Sequence, residues 1–235
     1  MWEALGWGAV AASSLVVGAV LGILRDWPRA LIGVVLGFGA GALISSVSFE
    51  LAQEGFERGG GLSLTIGLAA GALAFYGADR VVQRLGARSR VGVAGLPLAL
   101  GALLDGIPEQ AVLGLGLGQG EGVGIALLVS IFVSNLPEAI GSSSDMRAAG
   151  QPRRRILQLW TVVAVVCTGA TLAGYAVSRV TAERFEAGVD GFAAGALLVM
   201  LVGSMIPEAT EKAQDKAGLA AVLGFAVAAG LSALT

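Results

Sequence analysis

Long apolar stretches separated by short, charged links dominate the hydropathy pattern of the chain. Eight stretches reach about 20 residues, the length that an α-helix needs to cross the hydrocarbon core of a bilayer. The pattern predicts an all-α membrane protein in which residues 1–235 form a single polytopic domain of eight transmembrane helices, the first of them a retained span rather than a cleaved signal. The predicted helices are residues 2–24, 30–53, 62–82, 96–118, 121–145, 156–178, 187–210 and 217–234.

The composition agrees with a chain whose surface faces the lipid bilayer. Hydrophobic residues make up 55% of the sequence and charged residues only 14%, whereas soluble domains carry about 25% charged residues. The mean hydropathy is +0.80. We therefore expect a multi-pass protein of the cell (cytoplasmic) membrane. The net charge of −2 argues against a nucleic-acid partner.

Basic residues fall mainly on one side of the predicted membrane. With the N-terminus outside, twelve of the 15 lysines and arginines lie at inside links and helix ends. Cytoplasmic links are enriched in these residues, so both termini are expected outside. The inside set is Arg25, Arg29, Arg80, Arg84, Arg88, Arg90, Arg147, Arg153, Arg154, Arg155, Lys212 and Lys216, and the outside set is Arg58, Arg179 and Arg184.

Histidine is absent and Cys167 is the single cysteine, which narrows the chemistry of the chain. Catalysis by Ser-His-Asp or Cys-His groups and metal sites built on histidine are excluded. An intrachain disulfide and a CxxC metal site are excluded as well. We therefore predict that the protein is not an enzyme and has no bound cofactor.

A short segment of the second predicted span recurs in the seventh. Residues 37–44 (GFGAGALI) match residues 191–198 (GFAAGALL) at six of eight positions, and an intramembrane glutamate follows each run. The two spans run in opposite directions in the predicted topology, as inverted repeats of transporters do. The alternative interpretation is that such runs are common in helices rich in glycine and alanine.

Five carboxylates lie deep in apolar sequence, where each charge near a helix centre costs at least about 2.5 kcal/mol. Such residues persist when they face a polar interior or hold a cation. Glu50 and Glu208 are candidates for an ion pathway, with solvation near the membrane interface as the alternative. The other three carboxylates are Asp105, Glu109 and Glu138.

Spans four and five carry similar Pro-Glu motifs, DGIPE and SNLPE. Asp105 and Glu109 are four residues apart and share one helix face, as do Ser134 and Glu138, while Asn135 precedes Glu138 by three residues. The proline of each motif frees a backbone carbonyl that needs a partner in lipid. These groups predict an oxygen-rich cation site between the two spans. The alternative is a structural pair of glutamates bonded to Ser134 and Asn135 across helices.

With these motifs, nearly the whole chain resembles the ZIP (Zrt/Irt-like) family of divalent-metal transporters. The resemblance implies a 3+2+3 inverted-repeat bundle with both termini outside, and a homodimer as the expected assembly. It also implies the metal ligands Asp105 and Glu109 on span four and Ser134, Asn135 and Glu138 on span five.

This chain departs from the family pattern in its ligands. Gly106 stands where the family has a ligand, and the family's histidines are missing. Residues 161–178 of span six lack the acidic residue that some members use for a second metal. We therefore expect one metal ion. Without imidazole the site suits harder cations such as Mn²⁺ or Mg²⁺, with Zn²⁺, Fe²⁺ and Cd²⁺ as further candidates.

Two functions from different classes follow from these observations. The first is divalent-cation transport across the cell membrane through the site between spans four and five. The alternative is a ZIP-fold membrane protein that no longer transports and acts as a metal sensor or interaction partner, which the missing histidines and Gly106 motivate. An intramembrane hydrolase is disfavoured because no catalytic motif for one is present.

The orientation predicts how a cysteine in the link after span five reacts. In a Cys167→Ala background, Arg154→Cys is expected to resist a membrane-impermeant thiol reagent in intact cells and to react after permeabilisation. Labelling is measured by gel shift. Labelling in intact cells would place this link outside and overturn the topology.

Overall fold

The computed structural model is helical throughout the residues that it describes, which are 1–88, 96–120, 124–181 and 183–233. Nine α-helices and two π-helical segments make up this part of the chain. They are α1 (Trp2–Leu24), α2 (Arg29–Ser46), π1 (Val47–Gln53), α3 (Glu54–Arg88), α4 (Leu96–Gln119), α5 (Ile125–Ala148), α6 (Arg153–Val180), α7 (Glu183–Met200), π2 (Leu201–Met205), α8 (Ile206–Ala213) and α9 (Asp215–Ser232).

These segments join into eight long helices, as the hydropathy pattern predicts. α2 continues through π1 into the start of α3, and Gly60, with a φ of 77°, ends that helix. Glycine adopts this angle without the strain of a Cβ atom. π2 joins α7 to α8, and Gln214, with a φ of 52°, separates α8 from α9.

Seven of these helices, among the described residues, are long and apolar enough to cross a membrane. The remaining one, α4, has 24 residues, which extend about 36 Å and exceed a hydrocarbon core of about 30 Å. The protein is therefore an all-helical, multi-pass membrane protein.

The helices extend beyond several of the predicted spans. The seventh predicted span, residues 187–210, corresponds to α7, π2 and α8 together. The observed helix is longer at both ends, because the turns that contain Arg184 and Lys212 are also helical. Some predicted regions lie outside the described residues. They are part of the third link (89–95, with Arg90), the start of span five (121–123), residue 182 and the end of span eight (234).

Helices from the first part of the chain pair with helices from the last part. α2 packs against α9 and α3 packs against α7, while α1 packs against α5 and α6, and α4 against α6. One buried core lies mainly among α2, α4, α5, α7 and π2. A second lies among α1, α5 and α6, around the fully buried Trp160.

The repeated glycine runs make equivalent contacts in the two pairs. A Cβ atom on Gly41 of α2 would collide with the carbonyl oxygen of Ala221 in α9, and one on Gly195 of α7 would collide with that of Leu68 in α3. Small residues of this kind let helix backbones approach closely in membranes.

The partner helices make the reciprocal contacts. A Cβ atom on Gly224 of α9 would collide with the carbonyl oxygen of Phe38, and one on Gly71 of α3 would collide with that of Phe192. Phe38 and Phe192 are the matched second residues of the repeated run. The α2–α9 and α3–α7 pairs therefore use the same close backbone contact.

The α2–α9 contact predicts the effect of a single methyl group. Gly41→Ala is expected to lower the thermal unfolding midpoint in detergent, because over-packing at a close contact costs about 1–3 kcal/mol. The matched control is Gly218→Ala on α9, where an added Cβ atom meets nothing within 4 Å and alanine favours the helix. Unfolding is measured by circular dichroism. Equal unfolding midpoints for the two variants would contradict the close contact.

Candidate metal site

α4 and α5 both continue as helices through the proline of their motif, Pro108 and Pro137. Each proline removes one backbone hydrogen bond, so each helix keeps a freed carbonyl oxygen one turn before it. The acidic residue of each motif follows directly, at Glu109 and Glu138. Each of the two helices therefore carries a carboxylate next to its proline and a freed carbonyl oxygen about one turn earlier.

Glu109 is the centre of a buried polar cluster. Its side chain is 1% exposed, and its carboxylate receives hydrogen bonds from two residues of α5. Asn135 donates from Nδ2 to Oε2 at 3.1 Å, and the Ser134 hydroxyl lies 3.2 Å from Oε1. Ser134 Oγ also lies 3.0 Å from the carbonyl oxygen of Ile131. A hydroxyl has one proton to donate, so Asn135 is the firmer partner.

Asp105 lies one turn before Glu109 but makes its hydrogen bond elsewhere. The hydroxyl of Ser204 in π2 donates to Asp105 Oδ2 at 2.9 Å. Asp105 therefore links α4 to the seventh long helix rather than to α5. The structure brings Glu109, Ser134 and Asn135 together by hydrogen bonds and directs Asp105 to a different helix.

Glu138 of α5 interacts with charged side chains of two other helices, α4 and α8. The carboxylates of Asp105, Glu208 and Glu109 and the ammonium group of Lys212 all act on it electrostatically. Lys212 in turn forms an ion pair with Glu208, four residues earlier on α8. Glu138 is thus within electrostatic reach of both the Glu109 cluster and a cation supplied by the chain itself.

Within the described part of the chain, no three Asp, Glu or Cys side chains come close enough to form a ready metal-binding group. The donors that do converge are one carboxylate, one hydroxyl and one amide, on Glu109, Ser134 and Asn135. Oxygen donors of this type suit hard divalent cations. A cation at this point would need Glu138 or Asp105 to turn toward it.

The space beside Gly106 is filled by a sulfur atom. A Cβ atom on Gly106 would lie 2.8 Å from Sγ of Cys167 on α6. Cys167 is fully buried and lies within electrostatic reach of Glu109 and Glu138. A side chain at position 106, as in the family pattern, would therefore require Cys167 to shift.

Gln110 and Thr171 form a second buried polar contact, which the motif pattern did not indicate. Both residues are fully buried, and the Thr171 hydroxyl donates to Gln110 Oε1 at 2.6 Å. The contact ties α4 to α6 next to Glu109. Gln110 follows the motif glutamate directly. A polar residue at that position in apolar sequence could have indicated this buried contact.

Two cavities open at different levels of the bundle. The first cavity, about 710 Å³, is lined by Glu50, Glu54 and Glu57 together with parts of α4, α5 and α9. The second cavity, about 340 Å³, is lined by Asp26, Arg29, Lys212 and the last turns of α5.

The candidate site lies between the cavities along α5. Leu127 lines the first cavity and Gly141 lines the second, about 21 Å apart at 1.5 Å per residue. Ser134, Asn135 and Glu138 fall within that interval. The helix formed by α2 and π1 also connects the two cavities. Ile32 lines the second cavity and Phe49 lines the first, and the two residues are about 26 Å apart along the helix.

The two pathway candidates have different surroundings. Glu50 lies in π1, lines the first cavity and accepts a hydrogen bond from the Ser232 hydroxyl at 2.9 Å. Glu208 lies in the first turn of α8, three residues after the end of π2, and is paired with Lys212. π-helical turns often occur at functional sites. The apolar pattern could not indicate either π-helical turn.

Helices, buried acids and paired cavities define a multi-pass membrane protein with a polar interior rich in oxygen donors. Among known proteins, the chain is 27% identical over 216 residues to a protein of Arabidopsis thaliana named "Putative zinc transporter". The alignment covers 86% of this chain and 34% of the relative, so the chain spans about a third of that protein's length. This distant homology is consistent with the resemblance to the ZIP family. No protein-family model matches the chain.

The Glu109 cluster predicts a coupled stability effect. Asn135→Ala is expected to destabilise the protein by about 1–3 kcal/mol, because it leaves a buried carboxylate with one donor fewer. In a Glu109→Leu background the same change is expected to cost much less, since no charge remains to be bonded. The measurement is unfolding in detergent for the four variants of this cycle.

The control for this cycle is Ser130→Ala on the same helix. Ser130 is also buried, but its hydroxyl donates to the carbonyl of Ala126 within α5. Its effect is expected to be the same in both backgrounds. If Asn135→Ala lowered the free energy of unfolding by the same amount in the wild-type and Glu109→Leu backgrounds, the coupling would be disproved.

Proposed function

We propose that the protein transports a divalent metal cation across the membrane that it spans, through the carboxylate-rich site between α4 and α5. The observation that carries the proposal is the position of this site between two cavities along α5. A carrier needs a buried binding site that can be approached from each end of the bundle. The proposed ligands are Asp105, Glu109, Ser134, Asn135 and Glu138.

The site is closed from the first cavity by apolar side chains. Val112 and Leu113 follow Glu109 by three and four residues, line that cavity and are 2% and 1% exposed. Leu127 of α5, 5% exposed, lines it as well. A hydrated cation cannot cross this layer without a rearrangement of helices. The arrangement fits an alternating-access carrier better than an open channel.

An inverted repeat would supply the two alternating states. The equivalent glycine contacts of the α2–α9 and α3–α7 pairs support it. The close contacts of α4 with α6 and of α5 with α1 support the inverted repeat as well. Gly174 of α6 packs on the carbonyl oxygen of Ala111, two residues after Glu109, and Gly22 of α1 packs on that of Ile140, two residues after Glu138.

The name of the plant relative makes Zn²⁺ the first candidate cargo. The oxygen donors of the site extend the candidates to Mn²⁺, Fe²⁺, Cd²⁺ and Mg²⁺. In the predicted orientation the first cavity faces outside, where its three glutamates would concentrate cations. The membrane is proposed to be the cell membrane, and the homodimer stays a prediction.

Metal uptake into proteoliposomes tests this function. The wild-type chain is expected to accumulate Zn²⁺ or another divalent ion, measured by an enclosed fluorescent indicator. Glu109→Gln and Glu138→Gln are expected to reduce uptake to the level of protein-free vesicles, because each removes a charged ligand from the site. The matched control is Glu3→Gln, an exposed glutamate in the first turn of α1, which should transport normally.

Near-normal uptake by either site variant, at equal reconstitution, would refute the assignment of the site. A wild-type chain that binds metal with the same dependence on Glu109 but shows no uptake of any divalent ion would favour the metal-sensor alternative instead.

A further inference from the structure

Lys212 brings a positive charge to the edge of the candidate site. Its ammonium group is paired with Glu208, its side chain is 20% exposed, and it lines the second cavity. The chain has a second lysine, Lys216 on α9, which is exposed. A positive charge beside carboxylates proposed to carry a cation opposes the binding of that cation, and its position therefore needs an explanation.

The base of the Lys212 side chain is held by backbone packing. A Cβ atom on Gly33 of α2 would lie 2.7 Å from Cβ of Lys212, so α8 lies closely against α2 at this residue. Three more carbons separate Cβ from the ammonium nitrogen, and Lys212 lines the second cavity. The ammonium group can therefore move while the backbone that carries it stays in place.

The tip of Lys212 reaches toward Glu138. A Cβ atom on Gly141 would lie 3.1 Å from the Lys212 Nζ atom. Gly141 follows Glu138 by three residues and shares its helix face, and the charge of Lys212 acts on Glu138. Glycine at this position makes room for the ammonium group next to the second motif.

We propose that Lys212 is an exchangeable counter-cation, whose ammonium group compensates Glu138 and Glu208 in the metal-free protein and lowers the affinity of the site for the transported ion. This inference rests on the proposed function and assigns to it a residue that sets the affinity of the site. Metal entry displaces the ammonium group toward the second cavity. Its return promotes release of the ion into that cavity.

The electrostatics fix the sign of the effect. A divalent cation and an ammonium group within one helical turn repel each other strongly in a medium of low dielectric constant. Lys212 is the cation of this cavity whose charge acts on Glu138. Four other charged residues line the second cavity, three carboxylates and one cation. These residues are Asp26, Arg29, Asp145 and Glu211.

Binding of Zn²⁺ and of Mn²⁺ to the full chain in detergent tests the proposal by isothermal titration calorimetry. Lys212→Gln is expected to lower the Kd by roughly tenfold, because a repulsive charge is removed. Lys212→Arg keeps the charge and should bind as the wild type does. Lys216→Gln is the matched control and should also leave the Kd unchanged.

Transport provides the second readout. Lys212→Gln is expected to lower both the KM and the maximal rate of uptake, since the ion enters more readily and leaves more slowly. A purely structural role would lower the maximal rate without lowering the KM. Gly141→Ala, which crowds the ammonium group without removing it, is expected to shift the Kd in the same direction by a smaller factor.

An unchanged or raised Kd for Lys212→Gln, in a protein that unfolds at the wild-type temperature, would overturn the proposal. Should that variant fail to fold, an unchanged or raised Kd in Gly141→Ala would overturn it. A wild-type chain that binds metal, shows the Kd shift and yet transports nothing would refute the proposed transport function while supporting the role of Lys212 in affinity.

Discussion

Glu109 carries a carboxylate into the apolar interior of a helix bundle, where a charge without partners costs several kcal/mol. The donors that it needs come from Ser134 and Asn135, so α5 has to lie close to α4. α4 in turn lies on α6, and α5 on α1, through glycines that pack on backbone oxygens. The hydrogen bonds of one buried carboxylate therefore require α4 and α5 to lie close together, and the glycine contacts hold each of them against a further helix.

The helices and the Glu109 cluster follow from local sequence patterns. Each apolar stretch has the length of a membrane crossing, which is a property of the segment alone. The Pro-Glu motifs of spans four and five carry matching polar residues at helical spacing, and the structure joins Glu109 to Ser134 and Asn135. The repeated glycine runs of spans two and seven make equivalent close contacts in the structure.

Other contacts could not be predicted because they depend on how separate helices meet. Asp105 shares a helix face with Glu109, yet its hydrogen bond comes from Ser204 of π2. Nothing near Lys212 in the sequence indicates that its ammonium group reaches the Pro-Glu motif of α5. Periodicity identifies the polar face of one helix, but the side chain that it meets belongs to a neighbour whose rotation is set by packing.

The π-helical turns before Glu54 and Ile206 have a consequence for angular position. A π turn accommodates one residue more than an α turn, and each residue of an α-helix corresponds to a rotation of 100°, at 3.6 residues per turn. A helical wheel drawn without this correction would place every residue after π2 about 100° from its true direction. The extra residue in the turn thus determines which way Glu208 and Lys212 point, and its deletion would rotate α8 about its axis while leaving every residue of α8 unchanged.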